Sequence, residues 1–277
     1  MPPRDRQGGS IDVSAVITTR DRWPRLASSL RSALAQSGVS LEVIVVDDAS
    51  ETPPSADVRP ALDDERVKLV RLPGEHGPAA AANVGVRDAR GAWVALLNDC
   101  DLWAPHHLAT LLEVSSRDDA EYGYCAAWLV DEQWRIRGFH PAPAPDAVAS
   151  ALLEANVIAR SSVIFRNELW HRGGGFDEWL TVLADWDLWL RWSRLGRAGM
   201  VPTASVATAG DDGDEPSKRA AAARELRELK RRYARDAKRE GVRFGQRASS
   251  SAPTEGEAPP HGVRPPWLAD ESFLRAV

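Results

Sequence analysis

Apolar and polar positions along the chain follow two rhythms. Val13 to Thr19 (VSAVITT) is a short β-branched run, the pattern of a buried strand. From Arg25 to Gln36 the apolar residues fall at Leu26, Leu30, Ala33 and Leu34, which is helical spacing, and Gly38 stops the element. Leu41 to Val46 (LEVIVV) predicts a second strand that ends at Asp47-Asp48. Val67 to Leu72 predicts a third strand, Pro78 to Arg87 a helix and Ala92 to Leu97 (AWVALL) a fourth strand. Strand, helix, strand, loop, strand, helix, strand implies βαβ units and a mostly parallel sheet. Ligands of such sheets sit at the carboxyl ends of the strands, so the polar residues just after strands carry most of the functional information.

The second half is less regular. Leu108 to Ser115 reads as a helix, and Tyr122 to Val130 as a strand paired with Arg135 to Phe139. His140 to Pro145 is a loop, Ala147 to Glu154 a helix and Ser161 to Arg166 (SSVIFR) a strand. Trp186 to Leu195 is a strongly amphipathic helix, and Asp214 to Glu240 is one long charged helix. Residues 1–10 are a polar leader. Residues 247–266 are rich in Ser, Pro and Gly and are expected to be disordered, and Trp267 to Val277 to form a short docking helix.

Composition narrows the class. A chain of 277 residues with 43% hydrophobic and 27% charged residues is an ordinary globular protein of one large or two small domains. Its apolar runs fall far short of the ~18 residues of a membrane helix. Nothing apolar follows Met1 to Arg6, so no secretion signal is expected. Two cysteines, Cys100 and Cys125, make no disulfide framework, and the simplest compartment is the cytoplasm. Residues 214–247 hold 12 bases and 6 acids, a net +6 in a chain of net −5. The body is therefore acidic, unlike a nucleic-acid binder with its basic face. The basic helix is expected to present a solvated or oligomeric face, with an anionic partner such as lipid headgroups as the other reading. The 11 tryptophans suit a core, with a stacking pocket for sugars as the second reading.

Candidate chemistry follows the strands. Asp47-Asp48 end the second strand and Asn98-Asp99-Cys100-Asp101 end the fourth. Two acidic clusters at one sheet edge repel unless a cation lies between them. A hard divalent ion bridging phosphates is one reading, hydrogen bonding to a base or ribose is another, and loop-end solvation is a third. Asp185, at the start of the Trp-rich helix, is either an N-cap or a general base facing a cleft. Asp187 in the same turn complements the helix dipole.

Taken in order, six segments resemble a family 2 glycosyltransferase of the GT-A fold. They are VSAVITTRDR (13–22), SALAQSG (32–38), LEVIVVDDAS (41–50), GPAAAANVGVRDARGAWVALLNDCDLWAPHHL (77–108), SSVIFRNELWHRGGGFDE (161–178) and DWDLWLRW (185–192). The resemblance implies an α/β Rossmann-like fold with a central, mostly parallel sheet flanked by helices and a C-terminal helical extension. It divides the chain into a domain over 11–210 (nucleotide half 11–105, acceptor half 106–210), a charged helix over 211–246 and a tail over 247–277. It implies an inverting transferase that moves a sugar from a UDP- or dTDP-sugar to a hydroxyl of a glycan, natural product or peptide. Thr18 and Arg20 would border the base, Asp48 would accept from its N3–H, and Asn83 and Asp99 would lie on the nucleotide-sugar side. Asp185 would be the catalytic base, and Gly175, Phe176, Asp177 and Trp186 would border donor sugar and acceptor. A divalent metal, Mn²⁺ or Mg²⁺, would sit on Asp101 and Asp99.

The departures from the family pattern lie on the donor side. Counting back from Trp103 and Pro105, the family carries acids where this chain has Asn98 and Cys100, so its literal DXD, Asp99-Cys100-Asp101, is shifted by one residue. Cys100 thus occupies the expected ligand position, and a thiolate is a soft ligand that suits Mg²⁺ poorly. The family's Arg before the Asn is Ala82 here, with Arg71, Arg87 or His76 as candidate replacements. A degenerate, non-catalytic sugar-nucleotide binder is therefore the alternative. A nucleotidyltransferase is the third reading, but it wants a glycine-rich phosphate loop that Thr18 to Arg22 lacks.

Overall fold

The computed structural model describes residues 11–209, 216–245, 262–269 and 273. Strands β1 (Val13–Thr19), β2 (Leu41–Asp47), β3 (Val67–Arg71) and β4 (Trp93–Asn98) alternate with helices α1 (Trp23–Leu34), α2 (Arg59–Leu62) and α3 (Pro78–Asp88). There follow β5 (Asp101–Trp103), α4 (His107–Arg117), β6 (Tyr122–Val130), β7 (Ile136–His140) and α5 (Val148–Glu154). The remainder is β8 (Val163–Arg166), α6 (Asn167–Gly173), α7 (Ala184–Trp192), β9 (Ala198–Thr208) and α8 (Pro216–Arg239). One nine-stranded sheet runs β3-β2-β1-β4-β8-β6-β9-β5, with β7 paired to β6. It is parallel from β3 to β4 and mixed beyond, where β8 is antiparallel to both β4 and β6.

Strands β1, β2 and β4 are buried on both faces, as parallel strands covered by helices must be, whereas β3 at the sheet edge is largely exposed. Val13, Ala15 and Ile17 of β1 enter one apolar layer beneath α1 and α4, while Val16 enters the other beneath α3. The same period of two divides β2 and β4, which is why their sequences read as continuous apolar runs rather than alternating ones. Helix α3 lies so close to the sheet that a Cβ at Gly85 would run into Val16.

Four elements escaped the sequence pattern: α2, β5, α6 and β9. Strand β9 ties the second half of the chain together, parallel to β6 and antiparallel to β5. Its sequence, AGMVPTASVAT, carries a proline and small polar residues, and its register with β6 slips between Cys125 and Ala127. The long helix α8 presents the expected solvated face, where Glu228 pairs with Arg232 four residues on, and adds a buried stripe that the sequence pattern did not predict. Glu225, Leu229, Tyr233 and Ala237, spaced four apart, are buried, and the last three join the core layer that contains α7. Near the C-terminus, Leu268 and Phe273 pack on Leu102, Val130, Ile136 and Ala207, and a 3₁₀ turn occupies Pro266–Leu268. The polar leader and most of the Ser/Pro-rich tail lie outside the described residues.

Candidate active site

The register that aligns β1, β2 and β4 brings Thr19, Asp47 and Asn98 to one edge of the sheet. Asp48, one residue beyond β2, is buried, and its two oxygens accept the backbone N–H groups of His76 and Gly77, each at 2.8 Å. It thereby pins the loop that starts α3. Thr18 lies beside Val46 and Asn98 at the end of β1. Arg20, just past that strand, is ion-paired with Glu75. Arg71, a candidate phosphate-side cation, instead lies against Asp47 and donates to the Ser50 carbonyl.

The second acidic cluster is more deeply enclosed. Asp99 accepts from Thr19 Oγ1 at 2.9 Å and faces Arg22 Nη1 at 3.5 Å. Asp101 Oδ2 accepts from Ser161 Oγ at 2.5 Å and Asn98 Nδ2 at 2.9 Å, while Oδ1 accepts the Ala209 N–H at 3.2 Å. Burial raises the Asp101 carboxyl to about 6, against the pull of those hydrogen bonds. This donor set does not fit the metal expected on Asp99 and Asp101. One carboxylate is engaged by protein donors on both oxygens, the other faces a guanidinium, and among the described residues no three His, Cys, Asp or Glu side chains converge. A hard cation here would have to compete with Arg22 for Asp99 and with the Ser161, Asn98 and Ala209 donors for Asp101.

Asp185 opens helix α7. Its Oδ2 accepts from Asn156 Nδ2 at 3.2 Å and its Oδ1 from the Trp186 N–H at 2.7 Å. Burial pushes its carboxyl above the ordinary carboxylate range, and the positive charge of Arg160 pulls the other way. Arg160 also feels the charges of Asp99 and Asp101. The topology explains the placement. Strand β8 runs antiparallel to β4, the Asn98 N–H reaches Ser161 Oγ at 3.0 Å, and the residue before Ser161 lands beside the acidic cluster. The sequence reading missed Arg160 and Asn156, since neither belongs to a motif and only the strand pairing brings them here.

The glycine-rich loop between α6 and α7 closes the site. Gly174 and Gly175 have φ of +82° and +62°, and a Cβ at Gly175 would come within 3.0 Å of Asn83 Oδ1 and Trp170. The Asn83 carboxamide accepts the Phe176 N–H at 2.9 Å and donates to Phe176 O at 3.0 Å and Glu178 Oε1 at 2.8 Å. Asn83, expected on the nucleotide side, therefore commits its amide to this loop. Arg160 stacks on the Phe176 ring at 4.8 Å. Asp177 pairs with Arg232 of α8 at 2.8 Å. Trp186, expected to border the acceptor, is buried, stacks on Phe244 and donates to Leu152 O at 2.7 Å.

Helix α8 is joined to the same region. Its Glu225 accepts the N–H groups of Thr181, Val182 and Leu183 and the Thr181 hydroxyl, at 2.8–3.0 Å. These donors sit at the positive end of α7, which has no side-chain cap of its own. Asp187, two residues past Asp185, is buried and accepts from Arg191 Nε at 2.9 Å, Tyr233 Oη at 2.9 Å and Arg232 Nη1 at 3.3 Å. Two residues turn a helix by about 200°, so a cavity of about 410 Å³ lined by Asp177, Asp187, Arg191 and Arg232 lies on the side of α7 away from Asp185.

Comparison with known proteins agrees with this geometry. The model of glycosyl transferase family 2 matches residues 14–153. The succinoglycan biosynthesis protein ExoO of Rhizobium meliloti is 33% identical over 193 residues, spanning 64% of this chain and 54% of its own length. The fold is similar to that of S. aureus TarS 1–349 in complex with UDP-GlcNAc, with a TM-score of 0.61 at 18% identity over 75% of this chain and 61% of that one. It is also similar to that of the mannosyltransferase PcManGT from Pyrobaculum calidifontis in complex with GDP-Man and Mn²⁺, with a TM-score of 0.60 at 22% identity over 83% and 65%. The chain thus spans about half the length of ExoO. Among the described residues no helix is long and apolar enough to cross a membrane.

Proposed function

The chain belongs to glycosyltransferase family 2, and on that premise we propose that it moves a sugar from a nucleotide diphosphate donor to an acceptor hydroxyl with inversion, Asp185 acting as the base. The observation that carries this reading is Asp185 itself. It is a half-buried carboxylate at a helix start, with its affinity for a proton raised and under the charge of Arg160, which also acts on the acidic strand ends. A carboxylate so perturbed is a better proton acceptor than a solvated one. The acceptor hydroxyl gives its proton to Asp185 as its oxygen attacks the anomeric carbon. The bond from that carbon to the diphosphate oxygen breaks, and its electron pair leaves with the nucleoside diphosphate. One displacement from the opposite side inverts the anomeric centre.

The donor is proposed to be a UDP- or dTDP-sugar. Each Asp48 oxygen accepts one backbone N–H and keeps a second lone pair for the N3–H of a pyrimidine ring. TarS was solved with UDP-GlcNAc, which supports the choice, whereas PcManGT holds GDP-Man. The acceptor is proposed to be a growing cell-surface glycan, by analogy with ExoO and its part in succinoglycan biosynthesis. The test is a donor screen followed by Asp185→Asn. Transfer should disappear while UDP binding stays within a few-fold, and the product of the wild type should carry the inverted linkage by NMR. Transfer that survives the substitution would remove Asp185 from the mechanism.

A further inference from the structure

Arg160 lies where the acidic strand ends meet the base, and three observations describe its situation. Its charge interacts with Asp185, Asp101 and Asp99, which lie on two different elements. Its guanidinium carbon lies over the Phe176 ring, 4.8 Å from the centroid, a cation–π contact. Among the described residues its N–H groups make no hydrogen bond and no ion pair, although the side chain is half-buried. The neighbouring carboxylates have taken other donors: Asp101 has Ser161, Asn98 and the Ala209 N–H, and Asp185 has Asn156 and the Trp186 N–H. A planar fork with five donors that lies over an aromatic ring and makes no hydrogen bond among the described residues is suited to receive a bidentate oxyanion.

Resting on the function proposed above, we propose that Arg160 is the cation that binds the diphosphate of the donor and takes up the charge of the departing nucleoside diphosphate, so that donor binding does not depend on a divalent metal. The chain has Ala82 where the family resemblance expects an arginine, and Asp99 and Asp101 spend their oxygens on protein donors. Arg160 stands on the 3₁₀ turn Arg160–Ser162 that leads into β8, where its charge acts on Asp185, Asp99 and Asp101, rather than on α3. As the bond to the diphosphate breaks, the electron pair moves onto a phosphate oxygen beside a fixed positive charge, the arrangement that stabilises a leaving group without reorganisation.

The test is binding of inorganic pyrophosphate and of UDP to the full chain, by calorimetry, in EDTA and in Mn²⁺. Wild-type protein should bind both in EDTA within about three-fold of its affinity in Mn²⁺. Arg160→Gln should weaken both in EDTA by ten-fold or more while leaving uridine binding unchanged, and Arg160→Lys, which keeps the charge but not the fork, should fall between. Far-ultraviolet circular dichroism and melting temperature report whether each variant is folded. The proposal is overturned if wild-type pyrophosphate binding vanishes in EDTA, or if a folded Arg160→Gln protein binds pyrophosphate as the wild type does. The wild-type comparison needs no variant and stands if Arg160→Gln fails to fold. Pyrophosphate carries no sugar, so binding reports on Arg160 even where no donor is turned over. Absent transfer with Arg160-dependent binding counts against the proposed function alone.

Discussion

The strand ends that carry Asp48 and Asp99, the proposed donor edge, and the helix that carries Asp185, the proposed acceptor side, are held by different means. At the donor edge, Thr19, Asp48 and Asp99 sit at or just beyond the ends of parallel strands and are fixed by neighbours from the same βαβ framework. On the proposed acceptor side, Asp185 rides on α7, where the residues just before the helix are held by Glu225 from α8 and Asp187 in its first turn is held by Tyr233 and Arg232. The first arrangement is carried by backbone pairing, the second by the buried Glu225 and Tyr233 and the exposed Arg232, each 40 or more residues away along the chain. The base thus depends on a segment that contributes nothing to the donor edge, and substitutions should separate the two regions.

The largest effect expected is that of Asp185→Asn. Loss of a general base costs about 10² to 10⁴ in rate, roughly 3–5 kcal/mol in the barrier. Stability should move the other way. The folded carboxyl binds its proton more tightly than an unfolded one, so its ionisation costs stability as pH rises above the ordinary carboxylate value. The asparagine variant, freed of that cost, should melt higher than wild type at pH 7. A variant that is both active and less stable would mean that Asp185 serves the fold and not the chemistry.

Glu225→Ala should come next. It strips the acceptor from three N–H groups and a hydroxyl, all served by one buried carboxylate, and should lower the unfolding free energy by roughly 3 kcal/mol. If α8 positions the base, kcat should fall while UDP affinity holds, and Glu225→Gln, which keeps one acceptor oxygen, should recover part of it. Equal losses of UDP affinity and kcat would mean that the two regions are one cooperative unit. Tyr233→Phe removes the hydroxyl that donates to Asp187 Oδ1 at 2.9 Å and lies 3.4 Å from its carbonyl, leaves Arg191 and Arg232 in place, and should cost about 1 kcal/mol by denaturant titration.

The same contrast decides what could be read in advance. Strands β1 to β4 and the acids that follow them were legible because each is a local pattern: an apolar run, then a polar end. The DXD-like and Asp185 positions were legible only as an ordered set. Strand β9 was not, because Pro202 and its Thr, Ser and Ala residues carry no period-two signal, and its pairing is long-range. The buried face of α8 was written in the four-residue spacing of Glu225, Leu229, Tyr233 and Ala237, but the surrounding arginines hid it. A glutamate in an apolar stripe was the available clue, since a buried carboxylate needs donors. Arg160 and Asn156 had no local signal at all. Asn83 and Trp186 matched the family pattern by position, yet their polar groups serve the loop and the core.

The smallest effect expected, and the sharpest on the base itself, is a shift in pH dependence. Transfer needs Asp185 ionised, so the acid limb of kcat/KM reports its proton affinity in the free enzyme. Burial raises that affinity first, and Arg160, the Trp186 N–H and the Asn156 amide lower it, with Arg160 the charged group among them. Asn156 is the gentlest of these to remove. Its Nδ2 donates to Asp185 at 3.2 Å, while its Oδ1 is buried without a protein partner, so Asn156→Ala deletes one useful bond together with one orphaned acceptor. The carboxylate then loses a donor that favours its ionised form, its proton affinity rises, and the acid limb should move to higher pH. On the alkaline side of that limb the rate should return close to the wild-type value, because the base is intact and ionised there. A rate that stays low at every pH would mean that Asn156 orients the carboxylate or the acceptor instead, and a limb that moves to lower pH would contradict the assignment of Asp185 as the group that titrates.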